Sequence, residues 1–241
     1  NNFTSSMKNE VRLLKQFFIS NKIYGAEIKI QGFSGYFCEL LILKYNTFQN
    51  VLKRISDFTP GNSIYFDDMN LSNISQNLAG ISKRVKYRVR WYGENNSLKN
   101  PHFEIKSKRG FETQKQIISL KKFDNINYNI KNNLNYLTDF VNDKIVLGKI
   151  LLPTLLISYR RIYLISSNNL IRATIDYEIK SKRLLKFKNQ FFCNFNDVIL
   201  ELKYDPNLDW ITRRTLSNIK VRYSKSSKYV NCALNYAESF S

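Results

Sequence analysis

Histidine is nearly missing from this chain: among 241 residues there is one, His102. Cysteine is scarce as well, and Cys38, Cys193 and Cys232 lack the paired spacing of zinc ligands. These shortages leave no material for a Cys/His zinc site, and free thiols in a reducing compartment are the expectation. Long apolar runs are missing too. No stretch reaches the roughly 18 to 20 residues of a membrane-crossing helix, so no transmembrane segment is expected. Gly148 to Ile157 is apolar but short and holds Pro153, so it reads as buried chain. No signal-peptide pattern is visible, no internal repeat is present, and a cytoplasmic location is expected. The chain starts at Asn1 rather than Met, which is compatible with a piece of a longer product. Acidic residues are the last shortage: Asp+Glu number 19 against 38 Lys+Arg, a formal net charge of +19. That balance points to a polyanionic partner, whether nucleic acid, polyphosphate, nucleotide or an acidic membrane surface.

What is present is a recurring strand pattern. In Lys86-Tyr87-Arg88-Val89-Arg90-Trp91 every second side chain is cationic. Alternate residues of a strand face the same side, so Lys86, Arg88 and Arg90 point one way and Tyr87, Val89 and Trp91 the other. A lysine-rich edge strand and a polyanion site both account for that stretch alone. The pattern recurs with Glu104, Lys106 and Lys108, then with Arg172, Thr174 and Asp176, and again with Glu201 and Lys203. Several strands with one apolar and one charged face predict an α+β protein whose antiparallel β-barrel encloses a charged lumen, with flanking helices. Hydrophobic content of 43% is enough for a core.

Along the chain, Lys8 to Ser20 has Val11, Leu14, Phe17 and Phe18 spaced for one helix face. Ile23 to Gln31 reads as a strand, and Gly32 to Gly35 as a loop. Thr47 to Phe58 reads as a helix with Thr47 as its N-cap. Thr59-Pro60-Gly61 is a turn and divides a 1–61 segment from a 62–241 domain. Strands are predicted over 62–67, 82–92, 102–108, 115–120, 157–165, 169–179 and 197–204. A helix is predicted over 130–147, with Leu134, Leu137, Phe140 and Val141 on one face. Thr212 to Tyr223 is less defined.

From Asn62 onward the ordered motifs NSIYFDD, RVKYRVRWYG, FEIKSKRG, SYRRIYLIS, RATIDYEI, ILELKY and SKYV resemble the VTC domain. This is the polyphosphate polymerase branch of the triphosphate tunnel (CYTH-like) family. The resemblance implies a tunnel in which the γ-phosphate of ATP passes to a growing inorganic polyphosphate chain and ADP leaves. It implies phosphate binding by Lys86, Arg88, Arg90, Lys106, Lys115, Arg161 or the adjacent Arg160, Arg172, Lys203 and Lys228. Of these, Arg88, Arg90, Lys106, Arg161 and Arg172 are expected to carry catalysis with Glu201. Glu201 would hold Mn²⁺ or Mg²⁺, with Glu104 assisting. VTC domains usually open on an R-x-E-x-K strand, and the nearest text here is Arg12-Leu13-Leu14-Lys15. Glu27 and Lys29 offer a substitute. Residues 8–61, above all YGAEIKIQGFSGY, resemble an internal segment of archaeal CCA-adding enzymes but contain none of their catalytic core. That second resemblance raises nucleic acid as a partner through the N-terminal segment.

Each assignment has an ordinary structural counterpart. Lys108 and Arg109 precede Gly110 and read as turn residues. Lys182, Arg183, Lys186 and Lys188 read as a solvated face. Asp176 can pair with a neighbouring cation, and Glu201 with Lys203 can be a cross-strand ion pair. Asp67-Asp68 are adjacent, so the two cannot share a strand face as metal ligands. Trp91 and Tyr92 read as wall packing, although an aromatic near the mouth could stack adenine. Three functions follow: an ATP-dependent polyphosphate polymerase, a polyphosphate- or triphosphate-binding protein without turnover, and a nucleic-acid-binding module.

Overall fold

The computed structural model describes residues 4–20, 24, 35–56, 60–110, 112–123, 128–145, 148–165, 170–184, 192–195, 198–210, 213 and 226–238. The described elements are mixed α and β. The helices are α1 (Ser5–Ser20), α2 (Gly35–Tyr45), α3 (Phe48–Ser56), α4 (Ser72–Leu78), α5 (Ile130–Asp143) and α6 (Lys228–Glu238). The strands are β1 (Gly61–Asp67), β2 (Lys83–Tyr92), β3 (Ser97–Leu98), β4 (His102–Arg109), β5 (Glu112–Ser119), β6 (Tyr128–Asn129), β7 (Leu152–Ile165), β8 (Arg172–Arg183), β9 (Cys193–Phe195) and β10 (Ile199–Lys203). The large sheet runs β10-β8-β7-β1-β2-β4-β5, with β9 also paired to β8, and β3 pairs with β6 separately.

This sheet corrects one expectation. A closed barrel would pair the first and last strands of that order, and among the described residues no pairing joins β10 to β5. The side chains at both ends suit open edges. All but one residue of β5 is exposed, and its run Glu112-Thr113-Gln114-Lys115-Gln116 carries the polar and charged groups that protect an edge. β10 has five residues, none of them buried.

The chain divides into two compact units. One comprises Asn1–Phe58, Arg160–Tyr177 and Asn196–Lys225. Its core gathers Val11, Leu14 and Phe18 of α1, Phe37, Cys38, Leu41 and Ile42 of α2, Val51 of α3, and Ile162, Ile175 and Tyr177 from the strands. The helical spacing predicted for Lys8 to Ser20 is thus met by α1. Arg12 and Lys15 lie on that helix, so the text nearest to the R-x-E-x-K motif supplies no strand. The substitute strand Ile23 to Gln31 lies outside the described residues except for Tyr24. Thr47 caps α3, its Oγ1 accepting from Asn50 N at 3.2 Å. Glu10 Oε2 accepts from Phe48 N at 2.7 Å and fixes the same helix start to α1. Thr212 to Tyr223, Lys186 and Lys188 also fall outside the described residues, apart from Arg213.

The second unit comprises Thr59–Tyr159, Glu178–Phe195 and Ser226–Ser241. In it β1 lies antiparallel to β2 and to β7, β2 to β4, and β4 to β5. One sheet face is apolar: Ile64, Phe66, Tyr87, Val89, Trp91 and Phe103 pack against Leu137 and Val141 of α5. Pro153 sits inside β7, where the missing donor is tolerated because the register to β1 shifts between Tyr65 and Phe66. Thr154 at that irregularity donates from Oγ1 to Tyr65 O at 2.9 Å. Asp67 ends β1 fully buried and accepts from Asp68 N, Asn73 N and Ile74 N, tying the start of α4 to the strand. Tyr229 of α6 donates to the same carboxylate at 3.0 Å and stacks on Tyr65 with ring centroids 4.6 Å apart. Asp67-Asp68 is accordingly a structural pair. Burial raises the Asp67 pKa, while Asp68, bonded to Lys149 at 2.6 Å, is held down to about 2 against the opposing effect of burial.

A cationic sheet face organised around one buried carboxylate

The second unit's other sheet face carries Lys86, Arg88 and Arg90, because Tyr87, Val89 and Trp91 point into the core. Cross-strand register extends the row. Arg88 lies opposite Tyr65 on one side and Glu104 on the other, Arg90 opposite Ser63 and His102, and Lys86 opposite Lys106. Lys106 in turn lies opposite Lys115 of β5.

Glu104 is 2% exposed and collects the cations. Arg88 Nε donates to Oε2 at 2.6 Å, and Arg88 Nη2 pairs with the same oxygen. Lys115 Nζ lies 2.7 Å from Oε1, His102 Nε2 3.2 Å and Arg90 Nη1 3.9 Å. Burial alone would raise the Glu104 pKa. The bond from His102 and the charges of Arg88, Lys115 and Arg90 overcome that and hold it well below the usual carboxylate range. Burial also opposes charge on Arg88, but Tyr65, Glu104 and Tyr159 raise its pKa above the ordinary value. Glu104 thus has another occupation than the metal ligand expected of it. A divalent ion there would displace or repel the guanidinium and ammonium groups already in place.

Arg90 is 7% exposed. Its Nη2 donates to the hydroxyl of Tyr159, and its guanidinium lies over the rings of Tyr92 at 5.7 Å and Tyr159 at 5.8 Å. Among the described residues its Nε has no hydrogen-bond partner, and neither has the buried Oγ of Ser63 directly across the strand pair. Two orphaned polar atoms on one cross-strand pair are a costly arrangement. Lys86 is the other strained cation. Burial, and then the charges of Lys106, Arg84, Arg88 and Lys108, push its pKa down to about 8. Lys86 Nζ donates to Ser227 Oγ at 2.8 Å, just before α6, and Lys228 Nζ lies over the Tyr159 ring at 5.0 Å. Lys108 and Arg109, read as turn residues, lie within β4 opposite Arg84 and Lys83.

The remaining expected residues belong to the first unit. Arg161 holds Asp176 in a two-pronged pair, Nε to Oδ1 at 2.5 Å and Nη2 to Oδ2 at 2.8 Å. Arg160, beside it on β7, is half-buried, and Arg172 is exposed on β8. In β10 the Glu201 side chain is 41% exposed and lies 3.6 Å from Lys203 Nζ. Among the described residues no three His, Cys, Asp or Glu side chains converge as a ready-made metal cluster. The sequence reading missed Ser63, Tyr65, Tyr159 and Ser227 as parts of the cationic face. Ser63 and Tyr65 alternate within NSIYFDD, the one local signal that could have marked them. Tyr159 and Ser227 come from distant segments and gave none.

No helix among the described residues is long and apolar enough to cross a membrane. The three cysteines are free, and burial pushes the thiols of Cys38 and Cys232 up to about 12.

Short stretches are similar to archaeal CCA-adding enzymes. That of Methanococcus maripaludis is 46% identical over 65 residues, 27% of this chain and 15% of the enzyme. That of Sulfurisphaera tokodaii is 55% identical over 53 residues, 22% of this chain and 13% of the enzyme. The chain therefore spans only a small part of the length of these relatives. A crystal structure of a Bacillus halodurans protein, assigned provisionally as an adenylate cyclase, superposes with a TM-score of 0.42 at 11% identity, covering 74% of this chain and 86% of that one. The profile of the VTC domain matches residues 29–236, beginning well before Asn62, where the recognisable motifs start. With most of its length inside that match, the chain belongs to the VTC domain family.

Proposed function

We propose that this protein is a polyphosphate polymerase that works on the cationic face built by β1, β2, β4 and β5. Binding of polyphosphate or triphosphate is the coarser property that family membership supports. The observation that carries the reading is the Glu104 cluster. One carboxylate of 2% exposure fixes Arg88, Arg90 and Lys115, while Lys86 and Lys106 face each other with like charge. Like charges directly opposite on a sheet are destabilising, and a chain of phosphates removes the cost.

In the proposed reaction a terminal oxygen of the polyphosphate chain attacks the γ-phosphorus of ATP. The bond from that phosphorus to the β–γ bridging oxygen breaks, and ADP leaves with the electron pair. Such a transfer needs positioning and charge neutralisation more than covalent help. Arg88 and Arg90 offer planar forks to non-bridging oxygens, and Lys86, Lys106, Lys115 and Lys228 offer point charges. Arg160, Arg161, Arg172 and Lys203 enter the proposal by resemblance to the family. A divalent ion, Mn²⁺ or Mg²⁺, supplies further neutralisation when bound. By resemblance to the family Glu201, a part-exposed carboxylate, would hold it; such ions take one or two carboxylates together with water and other oxygens. A cytoplasmic location belongs to the same reading.

The test is incubation of the purified chain with ATP and Mn²⁺. Polymer that an exopolyphosphatase degrades is the expected product. Glu201→Gln is expected to abolish metal-dependent turnover while polyphosphate binding persists; unchanged turnover would remove Glu201 from the metal role. A second reading is binding without turnover: the text nearest to the family's opening R-x-E-x-K strand, Arg12 to Lys15, lies on a helix and before the matched residues 29–236. Tight polyphosphate binding with no polymer would establish it. Nucleic acid binding through the N-terminal segment rests on the CCA-adding similarity. Retention of tRNA by the chain, resistant to competing polyphosphate, would support it.

A further inference from the structure

The second unit holds a pair of thiols that the cationic face does not use. Cys193 lies in β9 and Cys232 in α6. Ser181 of β8 lies directly opposite Cys193 in the antiparallel register. Residues paired in that way project their side chains from one sheet face, with Cβ atoms about 5 Å apart. Ser181 is fully buried, and the equally buried thiol of Cys232 lies against its hydroxyl. Both thiols therefore flank one serine side chain. Among the described residues that hydroxyl makes no well-formed hydrogen bond, so turning the Cys232 thiol toward Cys193 breaks none with it. Asn235, one turn further along α6, donates from Nδ2 to Asn194 O at 3.2 Å and holds the helix to β9 beside Cys193.

The path of the chain gives this pairing a consequence. The chain leaves the second unit after Phe195 and returns to it at Ser226. Cys193 precedes the exit and Cys232 follows the return. A bond between them would close the intervening segment into a loop at its base, and cross-links that close long loops constrain the unfolded chain most. It would also fasten α6, whose Tyr229 bonds Asp67 and whose Lys228 lies over Tyr159.

We propose that Cys193 and Cys232 are a redox-responsive pair, oxidised by glutathione disulfide to a bond that fastens α6 to β9. The half-buried Cys193 is the thiol that an oxidant reaches, whereas Cys232 is fully buried. Lys180, opposite Asn194, and Lys182, 5.7 Å from the Phe192 ring, place positive charge beside Cys193 that suits the net-negative glutathione disulfide. The Cys193 thiolate attacks one glutathione sulfur, the sulfur–sulfur bond of the oxidant breaks, and one glutathione leaves with the electron pair. Cys232 then gives up its proton and attacks the Cys193 sulfur, and the second glutathione leaves. Two cysteine thiols are oxidised, one glutathione disulfide is reduced to two glutathiones, and these take up the two protons. Burial holds the Cys232 thiol up at about 12, which makes the second step the slow one. The inference goes beyond the proposed function and does not depend on phosphate binding.

The experiment incubates the full chain with glutathione disulfide in the absence of denaturant and maps the products by peptide mass. The expected product has Cys193 joined to Cys232 and Cys38, buried in the core of the first unit, still a thiol. The urea midpoint should rise by about 1 M and return on reduction with dithiothreitol. Cys193→Ser is expected to lose the rise, and Cys232→Ser to stop at a mixed disulfide of Cys193 with glutathione. Cys193 is only half-buried, so its variant remains informative if Cys232→Ser fails to fold. Wild-type protein that keeps all its thiols, stops at the mixed disulfide or joins Cys193 to a second chain would overturn the pair. A bond between Cys193 and Cys232 that leaves the midpoint unchanged would overturn the fastening of α6.

Discussion

At the scale of single residues, two buried carboxylates of the same unit behave in opposite ways. Asp67 faces backbone donors and a tyrosine, and burial raises its pKa. Glu104 faces His102, Arg88, Lys115 and Arg90, which outweigh burial and lower it. A carboxylate whose folded pKa is depressed contributes stability above its unfolded pKa, near 4.5 for Glu104, and loses it as pH falls further. Glu104→Gln is therefore expected to cost about 3 kcal/mol at neutral pH, the usual penalty for breaking a buried ion pair. The difference from wild type should shrink as pH falls below the unfolded value. Urea midpoints of both proteins measured between neutral and acid pH check this, and a pH-independent difference would contradict it. Lys86 makes a second residue-scale prediction. Its pKa of about 8 is low because burial and neighbouring cations disfavour its charge. Stability should therefore rise with pH above about 8, as the unfolded chain keeps the proton longer. Polyphosphate restores the charge, so binding near that pH should take up protons. Calorimetry in buffers of different ionisation enthalpy reads the uptake, and Lys86→Met should abolish it.

At the scale of elements, α4 and α6 are fastened to β1 by one side chain. Asp67 takes three backbone donors around the start of α4 and the hydroxyl of Tyr229 in α6. Asp67→Ala is expected to cost about 3 kcal/mol, because buried N–H groups are left unsatisfied. Tyr229→Phe should cost about 1 kcal/mol, since one hydrogen-bonding hydroxyl is lost while the stacking on Tyr65 is kept. Equal denaturant midpoints for Tyr229→Phe and wild type would show that the stacked rings alone hold α6. Because Lys228 begins α6 and lies over Tyr159, and Ser227 just before it accepts from Lys86, loosening the helix should also weaken polyphosphate binding. Strand periodicity made β2 and β4 readable in advance. The strand predicted at 82–92 is β2 and that at 102–108 is β4, because an alternation of period two is local. The helix α4 was not readable, since its start is capped by Asp67, six residues upstream of Asn73.

At the scale of the whole molecule, the net charge of +19 draws polyanions from a distance and makes their binding salt-dependent. Arg88→Ala with Arg90→Ala should weaken tripolyphosphate binding and flatten its dependence on ionic strength. Wild-type affinity and slope in that double variant would return both arginines to a purely structural role. Nonspecific charge alone would leave the slope nearly intact, because 36 of the 38 basic residues remain after these two are removed.

The sequence by itself determined the α+β class, the one-sided charge of β2 and β4, and the identity of most cations on the second unit's face. These follow from periodicity and composition, which are properties of neighbouring residues. Only the tertiary structure decided what that charge is arranged around. Glu104 reads in sequence as one acid in a strand, and its role comes from Arg88 across one pairing and Lys115 across another. The openness of the sheet was equally out of reach. Closure depends on whether its two terminal strands find each other, and no local pattern in β5 or β10 encodes a partner that lies elsewhere in the fold.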